Sequence, residues 1–130
     1  MIDAFLLDTH VLLWWMSDAR ELSKRARKVI GETDNMVLIS AASLWEVAIK
    51  TRKGKLLGCE DYLSRFQFWH DRWGFATLDI KPEHAVLAGS MRVALRDPFD
   101  RMLIAQSKST GTVLITSDGA IREAHSNCLW

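Results

Sequence analysis

Two kinds of hydrophobic pattern alternate along the chain. Short runs of consecutive apolar residues, typical of strands in a buried parallel sheet, are separated by stretches in which apolar residues recur every three or four positions, as on one helix face. The runs predict strands at residues 4–7, 36–39, 75–80 and 112–116, and a short edge strand at 127–130. The periodic stretches predict helices through residues 11–15, 23–30, 41–52, 60–73, 82–91 and 97–109.

The order of these elements predicts an α/β fold. Parallel strands need long connections, and helices in right-handed connections cover both faces of the sheet. We therefore expect a central, mainly parallel sheet of four to five strands. With 130 residues, of which 48% are hydrophobic, the chain is long enough for a single domain over residues 1–130 and too short for two.

Composition excludes several classes of protein. Cys59 and Cys128 are isolated from each other and from the four histidines, which argues against a disulfide framework and against a zinc site. The net charge of +1 neither requires nor excludes a nucleic-acid partner. No apolar run reaches the length of a membrane span, and residues 1–13 lack the basic leader of a signal peptide, so we expect a cytoplasmic protein.

The most informative stretch is Arg-Asp-Pro-Phe-Asp-Arg-Met-Leu-Ile-Ala at residues 96–105. Asp97 followed by Pro98 is typical of a helix start, because aspartate caps a helix and proline suits its first position. Asp100 then lies one turn before two apolar residues, on or beside the face that must point toward the core. The structural alternative is a capping arrangement, in which acidic groups only stabilise the start of the helix.

Three further carboxylates change this interpretation. Asp8 and Asp118 directly follow predicted strands, while Glu46 and Asp100 lie in helices. Ligands of parallel sheets bind beyond the carboxyl ends of the strands, so the four side chains are predicted to meet at one edge. Four clustered carboxylates need a compensating cation, and all-oxygen ligands suit Mg²⁺ or Mn²⁺. The ordinary alternatives are a surface ion pair between Glu46 and Lys50 and a turn at Asp118.

The chemistry that this acidic set indicates is attack on a phosphodiester. A hydrated divalent cation activates water and neutralises charge on phosphate oxygens. The sequence has neither a Walker phosphate loop nor a Gly-x-Ser-x-Gly elbow, which disfavours nucleotide hydrolysis and acyl transfer. Basic residues close to the acidic set are candidates for contacts with a polynucleotide backbone. They are Lys50, Arg52, Lys53, Arg96 and Arg101.

Four segments together resemble the PIN-domain family, and within it the VapC-type ribonuclease toxins of prokaryotic toxin–antitoxin modules. They are Leu-Leu-Asp-Thr-His at residues 6–10, Ser-Leu-Trp-Glu-Val-Ala-Ile-Lys at 43–50, residues 97–106, and Ile-Thr-Ser-Asp at 115–118. The resemblance implies a three-layer α/β/α domain, Mg²⁺- or Mn²⁺-dependent cleavage of RNA, products with 5′-phosphate and 3′-hydroxyl ends, and a cognate antitoxin that blocks the site.

The resemblance also assigns roles by position. Asp8, Glu46 and Asp100 match the metal-binding acidic residues of the family, which makes them the candidate catalytic residues here. Asp118 matches a fourth acidic residue that often acts through water, and it completes the candidate catalytic and metal-binding set.

Auxiliary positions follow from the same comparison of motifs. Asp97 has a weaker claim to the metal, while Thr9 and Ser117 match small hydroxyl positions that orient water molecules. Leu95 departs from the family, because many relatives carry histidine before the Arg-Asp-Pro stretch. This departure affects a secondary role at that position and leaves the acidic set intact.

The family also forms dimers, and two aromatic groups are candidate dimer surfaces. One is the pair Trp14 and Trp15, and the other is a stripe of aromatic residues at helical spacing between Tyr62 and Trp73. Such a stripe is more often core or subunit interface than a platform for stacked bases.

Two other functions stay open. In a binding module, the acidic pocket would capture a basic antitoxin segment, whose Arg or Lys replaces the cation, with little or no turnover. A small-molecule phosphohydrolase would use the same acidic set, although the sequence offers no phosphate-cradling loop.

Overall fold

The computed structural model describes residues 3–130. The prediction about a signal peptide, made on residues 1–13, includes Met1 and Ile2, which lie outside the described residues. Its strands are β1 (Ala4–Leu7), β2 (Met36–Ser40), β3 (Phe75–Leu78), β4 (Val113–Ile115) and β5 (Cys128–Leu129). They form one sheet in the order β3-β2-β1-β4-β5, in which each neighbouring pair is parallel. The predicted α/β class is confirmed, and β5 is the predicted edge strand.

Eight helices connect these strands within residues 3–130. They are α1 (Thr9–Ser17), α2 (Lys24–Gly31), α3 (Ala41–Arg52), α4 (Glu60–Ser64), α5 (Phe66–Trp73), α6 (Pro82–Ser90), α7 (Pro98–Thr110) and α8 (Gly119–Ala124). In this described part of the chain, none of them combines the length and the apolar character needed to cross a membrane.

The prediction of one continuous helix at residues 60–73 is wrong. The helix breaks at Arg65, whose backbone leaves the helical region at φ −133° and ψ 36°. The break brings the Tyr62 hydroxyl within 2.6 Å of Nε2 of His70, and both side chains are buried. In an unbroken helix, residues eight apart are separated by about 12 Å along the axis. The buried hydrogen bond therefore requires the chain to turn between them.

Buried side chains lie on both faces of the sheet, as a three-layer fold requires. Phe5 and Leu7 of β1 point to one face, where they pack with residues of α1 and α2. Leu6 points to the other face and packs with Leu103 of α7 and Ile121 of α8. The alternation along a single strand thus buries apolar residues in two separate clusters, which confirms the α/β/α architecture.

The two aromatic groups considered as dimer surfaces pack against the same core cluster. Trp69 and Trp73 stack with ring centroids 5.4 Å apart, and Trp15 lies 5.8 Å from the ring of Phe75. Trp14 packs similarly on Trp130, at 5.7 Å. Much of this aromatic surface is therefore used within the chain, with the partly buried rings covering one face of the sheet.

Candidate active site

Asp8 occupies the carboxyl end of the central strand, β1. Its side chain is only 4% exposed, and its Oδ2 accepts a hydrogen bond of 2.8 Å from the Thr116 hydroxyl. Burial raises the pKa of the Asp8 carboxyl, although the bond from Thr116 works in the opposite direction. Asp8 is also the residue before α1, yet its carboxylate is directed to the neighbouring strand end.

Thr116 is the site residue that sequence reasoning missed, since Ser117 was the hydroxyl assigned there. Parallel pairing aligns Leu6 with Leu114, so one pleat further on Asp8 and Thr116 fall on the same face. The Thr116 hydroxyl donates to Asp8 and accepts the backbone N–H of Asp118 at 3.0 Å. Successive side chains along β4 and just beyond it point to opposite faces of the sheet. This alternation is the signal that distinguishes the buried Thr116 from the exposed Ser117.

Glu46 projects from the middle of α3 and is 7% exposed. Its Oε2 lies 2.8 Å from Nζ of Lys50, one turn further along the helix. The ion pair considered as an ordinary alternative therefore exists, although Glu46 is buried. The Lys50 ammonium group already compensates the negative charge of this carboxylate. A bound metal cation would compensate the same charge.

Buried hydrogen bonds fix the helices that carry the acidic residues. Ser40 caps α3 by accepting the N–H of Ala42, and its hydroxyl donates to Oε1 of Gln106 on α7 at 2.6 Å. The hydroxyls of Thr9 and Ser43 are 2.9 Å apart and join α1 to α3. Thr9 is thus held in a buried contact between helices. Ser43 and Gln106 lie in the segments that carry the resemblance, but the sequence assigned them no role.

Asp97 and Asp118 both cap helices. Asp97 accepts the N–H groups of Phe99 and Asp100, at 2.8 and 3.2 Å, at the start of α7. Asp118 accepts the N–H groups of Ala120 and Ile121, at 2.9 and 3.1 Å, at the start of α8. Each capping bond uses one oxygen, Oδ1, so the structural role predicted as the alternative exists beside any role in the site.

The other carboxylates of the site raise the pKa of Asp100. Burial raises its pKa most, and the negative charges of four further carboxylates add to this, so that the pKa reaches about 7. In order of influence these are Asp97, Asp8, Asp118 and Glu46. The structure therefore brings all the predicted acidic residues within electrostatic range of Asp100.

The predicted basic residues divide into two groups. Lys50 and Lys53, with Lys55, line a cavity of about 180 Å³ that also touches Glu46 and Asp97. Arg52 and Arg96 are exposed on the surface. Arg101 belongs to neither group, because its guanidinium donates to backbone carbonyls.

Arg101 binds the backbone before the acidic helix, which is not the role that its position in the sequence predicted. Its Nε donates to the carbonyl of Ala88 at 2.8 Å, and its two other nitrogens donate to Met91 and Leu95 at 2.6 and 2.9 Å. Its guanidinium is therefore engaged by the end of α6 and the following connection, and it is not available to an RNA phosphate.

Replacing Arg101 by alanine is expected to lower the free energy of unfolding by about 2–3 kcal/mol, because several charge-assisted hydrogen bonds are lost together. Urea denaturation measures the change. The exposed Arg92 in the same connection is the matched control, and Arg92→Ala should change stability by less than about 0.5 kcal/mol. Equal effects of the two substitutions would contradict the structural role of Arg101.

The acidic edge fits a divalent cation by charge and donor type. Among residues 3–130, no three acidic, histidine or cysteine side chains are close enough to share one ion, so the compact four-carboxylate cluster is not preformed. A closed set is not needed for Mg²⁺, which is commonly held by one or two carboxylates, water and substrate phosphates. The mutual repulsion at Asp100 is the observation that favours a cation here.

A parallel sheet with an acidic pocket at its carboxyl edge defines an α/β protein that binds its ligand at the strand ends. The sequence model of the PIN-domain family matches residues 5–126 of this chain. The chain therefore belongs to the PIN-domain family. Ribonuclease VapC22 of Mycobacterium tuberculosis (strain ATCC 25618 / H37Rv) is 29% identical over 118 residues, which cover 90% of this chain and 88% of that protein.

Solved structures of the same fold include two bacterial complexes. VapBC2 from Rickettsia felis, bound to a DNA fragment from its promoter, gives a TM-score of 0.71 at 13% identity, covering 98% of this chain and 97% of that one. A toxin–antitoxin complex from Klebsiella pneumoniae gives a TM-score of 0.68 at 19% identity, covering 96% and 95%. At these identities the likeness concerns the fold.

Proposed function

We propose that the protein is a Mg²⁺- or Mn²⁺-dependent endoribonuclease and the toxin of a toxin–antitoxin module. The observation that carries the proposal is the lysine-lined cavity that also touches Glu46 and Asp97. At the same edge, burial and four neighbouring carboxylates raise the pKa of Asp100 to about 7. Acidic groups for a cation and basic groups for a phosphate are thus adjacent. The similarity to a protein named as a VapC ribonuclease supports the same activity.

Each acidic residue has a distinct position in this proposal. Asp8, Glu46 and Asp100 would supply the ligands of the cation, directly or through its water molecules, and Asp118 would join through water. Bound Mg²⁺ or Mn²⁺ supplies charge that makes water a better nucleophile and neutralises phosphate oxygens. Thr116 keeps the Asp8 carboxylate oriented. Hydrolysis by in-line attack of water on phosphorus leaves a 5′-phosphate and a 3′-hydroxyl.

The proposed protein partner is a cognate antitoxin, because two structural neighbours are complexes of this type. A homodimer is a further proposal, for which the exposed ring of Phe68 next to Trp69 on α5 offers apolar surface. Size-exclusion chromatography with light scattering measures the assembly state of the chain alone.

Cleavage of RNA tests the activity. We expect purified protein to cut single-stranded or structured RNA with Mg²⁺ or Mn²⁺, to lose cleavage with chelator, and to lose at least about 100-fold in rate in Asp8→Asn. The control Asp34→Asn alters an exposed carboxylate in the loop before β2, at the opposite edge of the sheet, and should cut normally. Cleavage that survives chelation, or equal rates in both variants, would contradict the proposal. Nucleoside monophosphates assayed in parallel separate an RNase from a small-molecule phosphohydrolase.

The second candidate is a binding module that captures a basic antitoxin segment with little turnover. The ion pair of Lys50 with the buried Glu46 favours it, because a side-chain cation already compensates one site carboxylate. Partner binding by a protein that cuts no RNA class with either metal would favour this alternative over the nuclease.

A further inference from the structure

An apolar cavity of about 200 Å³ lies immediately beside the acidic edge. Its walls include Trp45 and Phe99, whose rings meet edge to face with centroids 5.2 Å apart. Each aromatic residue directly precedes a carboxylate of the site, since Trp45 comes before Glu46 and Phe99 before Asp100. Phe99 also lines the cavity that touches Glu46 and Asp97, so whatever fills the apolar cavity lies next to the proposed reaction centre.

Trp45 is not used by the core in the way that the other tryptophans are. Its side chain is 61% exposed, whereas the tryptophans of the remaining elements are partly buried against the core cluster. Contiguous exposed apolar surface at the edge of a cavity is typical of a binding groove, and an aromatic ring contributes a large area to it. Ile80, on the same wall, is also exposed, so the apolar surface extends beyond one side chain.

Phe99 joins this cavity to the lysine-lined one. It lines the apolar cavity with Trp45, and it also lines the cavity formed by Lys50, Lys53 and Lys55. A ligand that occupies both needs a flat apolar group on one side of Phe99 and an anionic group on the other. A nucleotide has this combination, because its base has an apolar face and its phosphate is anionic.

We propose that the cavity of Trp45 and Phe99 receives one unpaired base of the RNA substrate, while Lys50, Lys53 and Lys55 receive a neighbouring phosphate. The proposal rests on the proposed ribonuclease activity and names a determinant of its specificity. Bases inside a duplex are stacked and cannot enter such a cavity, so the preferred substrates are single strands, loops or bulges. Every base has an aromatic face that can stack, so a site that binds by stacking accepts different bases.

An apolar side chain of a protein partner is the alternative occupant. The adjoining lysines favour the nucleotide, because an apolar side chain gains nothing from the ammonium groups of Lys53 and Lys55 across Phe99, whereas a phosphate does. The carboxylates in the same region do not attract an RNA phosphate by themselves. The lysines therefore supply the charge complementarity that RNA requires.

Binding of short RNAs under non-cleaving conditions tests the proposal. Protein is titrated, in chelator and at fixed salt, into three labelled ligands. They are a single-stranded oligoribonucleotide, the same strand with one abasic position moved along it, and a matched duplex. We expect the single strand to bind more tightly than the duplex. We expect one abasic position to weaken binding by about 5- to 100-fold, the range for loss of a base–aromatic stack.

Variants locate the effect on the protein. Trp45→Leu should weaken binding of the intact strand by a similar factor, and an abasic position should then weaken binding no further. Trp45→Phe keeps an aromatic ring, so this variant should retain most of the wild-type affinity and most of the abasic penalty. Val86→Ala, which alters another exposed apolar side chain, on α6, is the control and should bind as the wild type does. Lys53→Gln should weaken binding of all strands equally and reduce its salt dependence, and Lys28→Gln on α2 is its control.

The outcomes separate this proposal from the proposed activity. An abasic penalty without metal-dependent cleavage supports the base site and contradicts the nuclease. Cleavage by a protein that has no abasic penalty overturns the base site alone. Absence of binding, or equal affinity of wild type and Trp45→Leu for every strand, also overturns it and assigns the cavity to a protein partner. The abasic comparison on wild-type protein holds even if a Trp45 variant does not fold.

Discussion

Asp100→Asn is expected to abolish RNA cleavage and, in the same protein, to increase stability in the absence of metal at pH 8. Both effects have one cause. Asp100 is placed among like charges and partly desolvated, which raises its pKa to about 7. The amide removes a charge that the metal-free fold disfavours and also removes a ligand that the reaction needs. We expect the cleavage rate to fall by about 10³-fold or more.

The stability effect has a definite sign. The carboxyl is more basic in the folded protein than in the unfolded chain, so its contribution to stability is present at low pH and is lost as pH rises through about 7. Asparagine does not titrate and avoids this loss. After allowance for partial solvent screening, we expect Asp100→Asn to gain about 1–2 kcal/mol at pH 8 and almost nothing at pH 4.

Urea denaturation of metal-free protein at both pH values measures this gain. Asp34→Asn removes an exposed charge at the opposite sheet edge and should leave the free energy of unfolding unchanged at both. If Asp100→Asn destabilised the protein at pH 8, the crowding of carboxylates around Asp100 would not be the dominant interaction.

Most of the acidic set could be predicted from sequence because its members follow strand ends or helix starts. Asp8 comes directly after β1 and Asp118 three residues after the end of β4, and parallel pairing places those positions at one edge. Thr116 was harder to assign, because two adjacent hydroxyl residues follow β4 and only their direction distinguishes them. Strand alternation, combined with the pairing register, gives that direction.

The roles of the basic residues depend on tertiary contacts that the sequence does not encode locally. Arg101 is next to Asp100 in the sequence, yet it binds carbonyl groups at the end of α6. Those carbonyl groups lie ten or more residues earlier in the chain, so the local sequence does not indicate the contact. Lys53 has no distinguishing neighbour in the sequence, yet it lines the cavity beside Glu46. Proximity in sequence to a catalytic candidate therefore predicts a shared region without predicting which way a long side chain turns.

The break at Arg65 illustrates the same limit for secondary structure. Aromatic residues at helical spacing predict one helix, and the local pattern is the same whether or not the helix is interrupted. The buried contact between Tyr62 and His70 decides the outcome, because it requires two turns to face each other. Periodicity predicts which residues face the core, whereas continuity of the helix depends on what they contact there.

Mg²⁺ is expected to stabilise the protein, and to do so more at pH 8 than at pH 6. Carboxylate ligands must be deprotonated to bind a cation, and burial or like charge raises the pKa of both Asp8 and Asp100. At pH 6 protons therefore compete with the metal, and at pH 8 they do so much less. With free metal at about 100 times its dissociation constant, the gain is about 2.7 kcal/mol, or about 10 °C in Tm for a domain of this size.

Thermal unfolding followed by circular dichroism, with and without metal at the two pH values, measures this coupling. Asp100→Asn should lose most of the metal-induced rise in Tm, and Asp34→Asn should retain it. Without metal, the wild-type Tm should fall between pH 6 and pH 8 as Asp100 ionises, and saturating metal should reverse part of that fall. The cation would then relieve in the wild type the same repulsion that Asp100→Asn removes chemically. A Tm rise of equal size at both pH values, or one that persists in Asp100→Asn, would assign the metal to a different set of ligands.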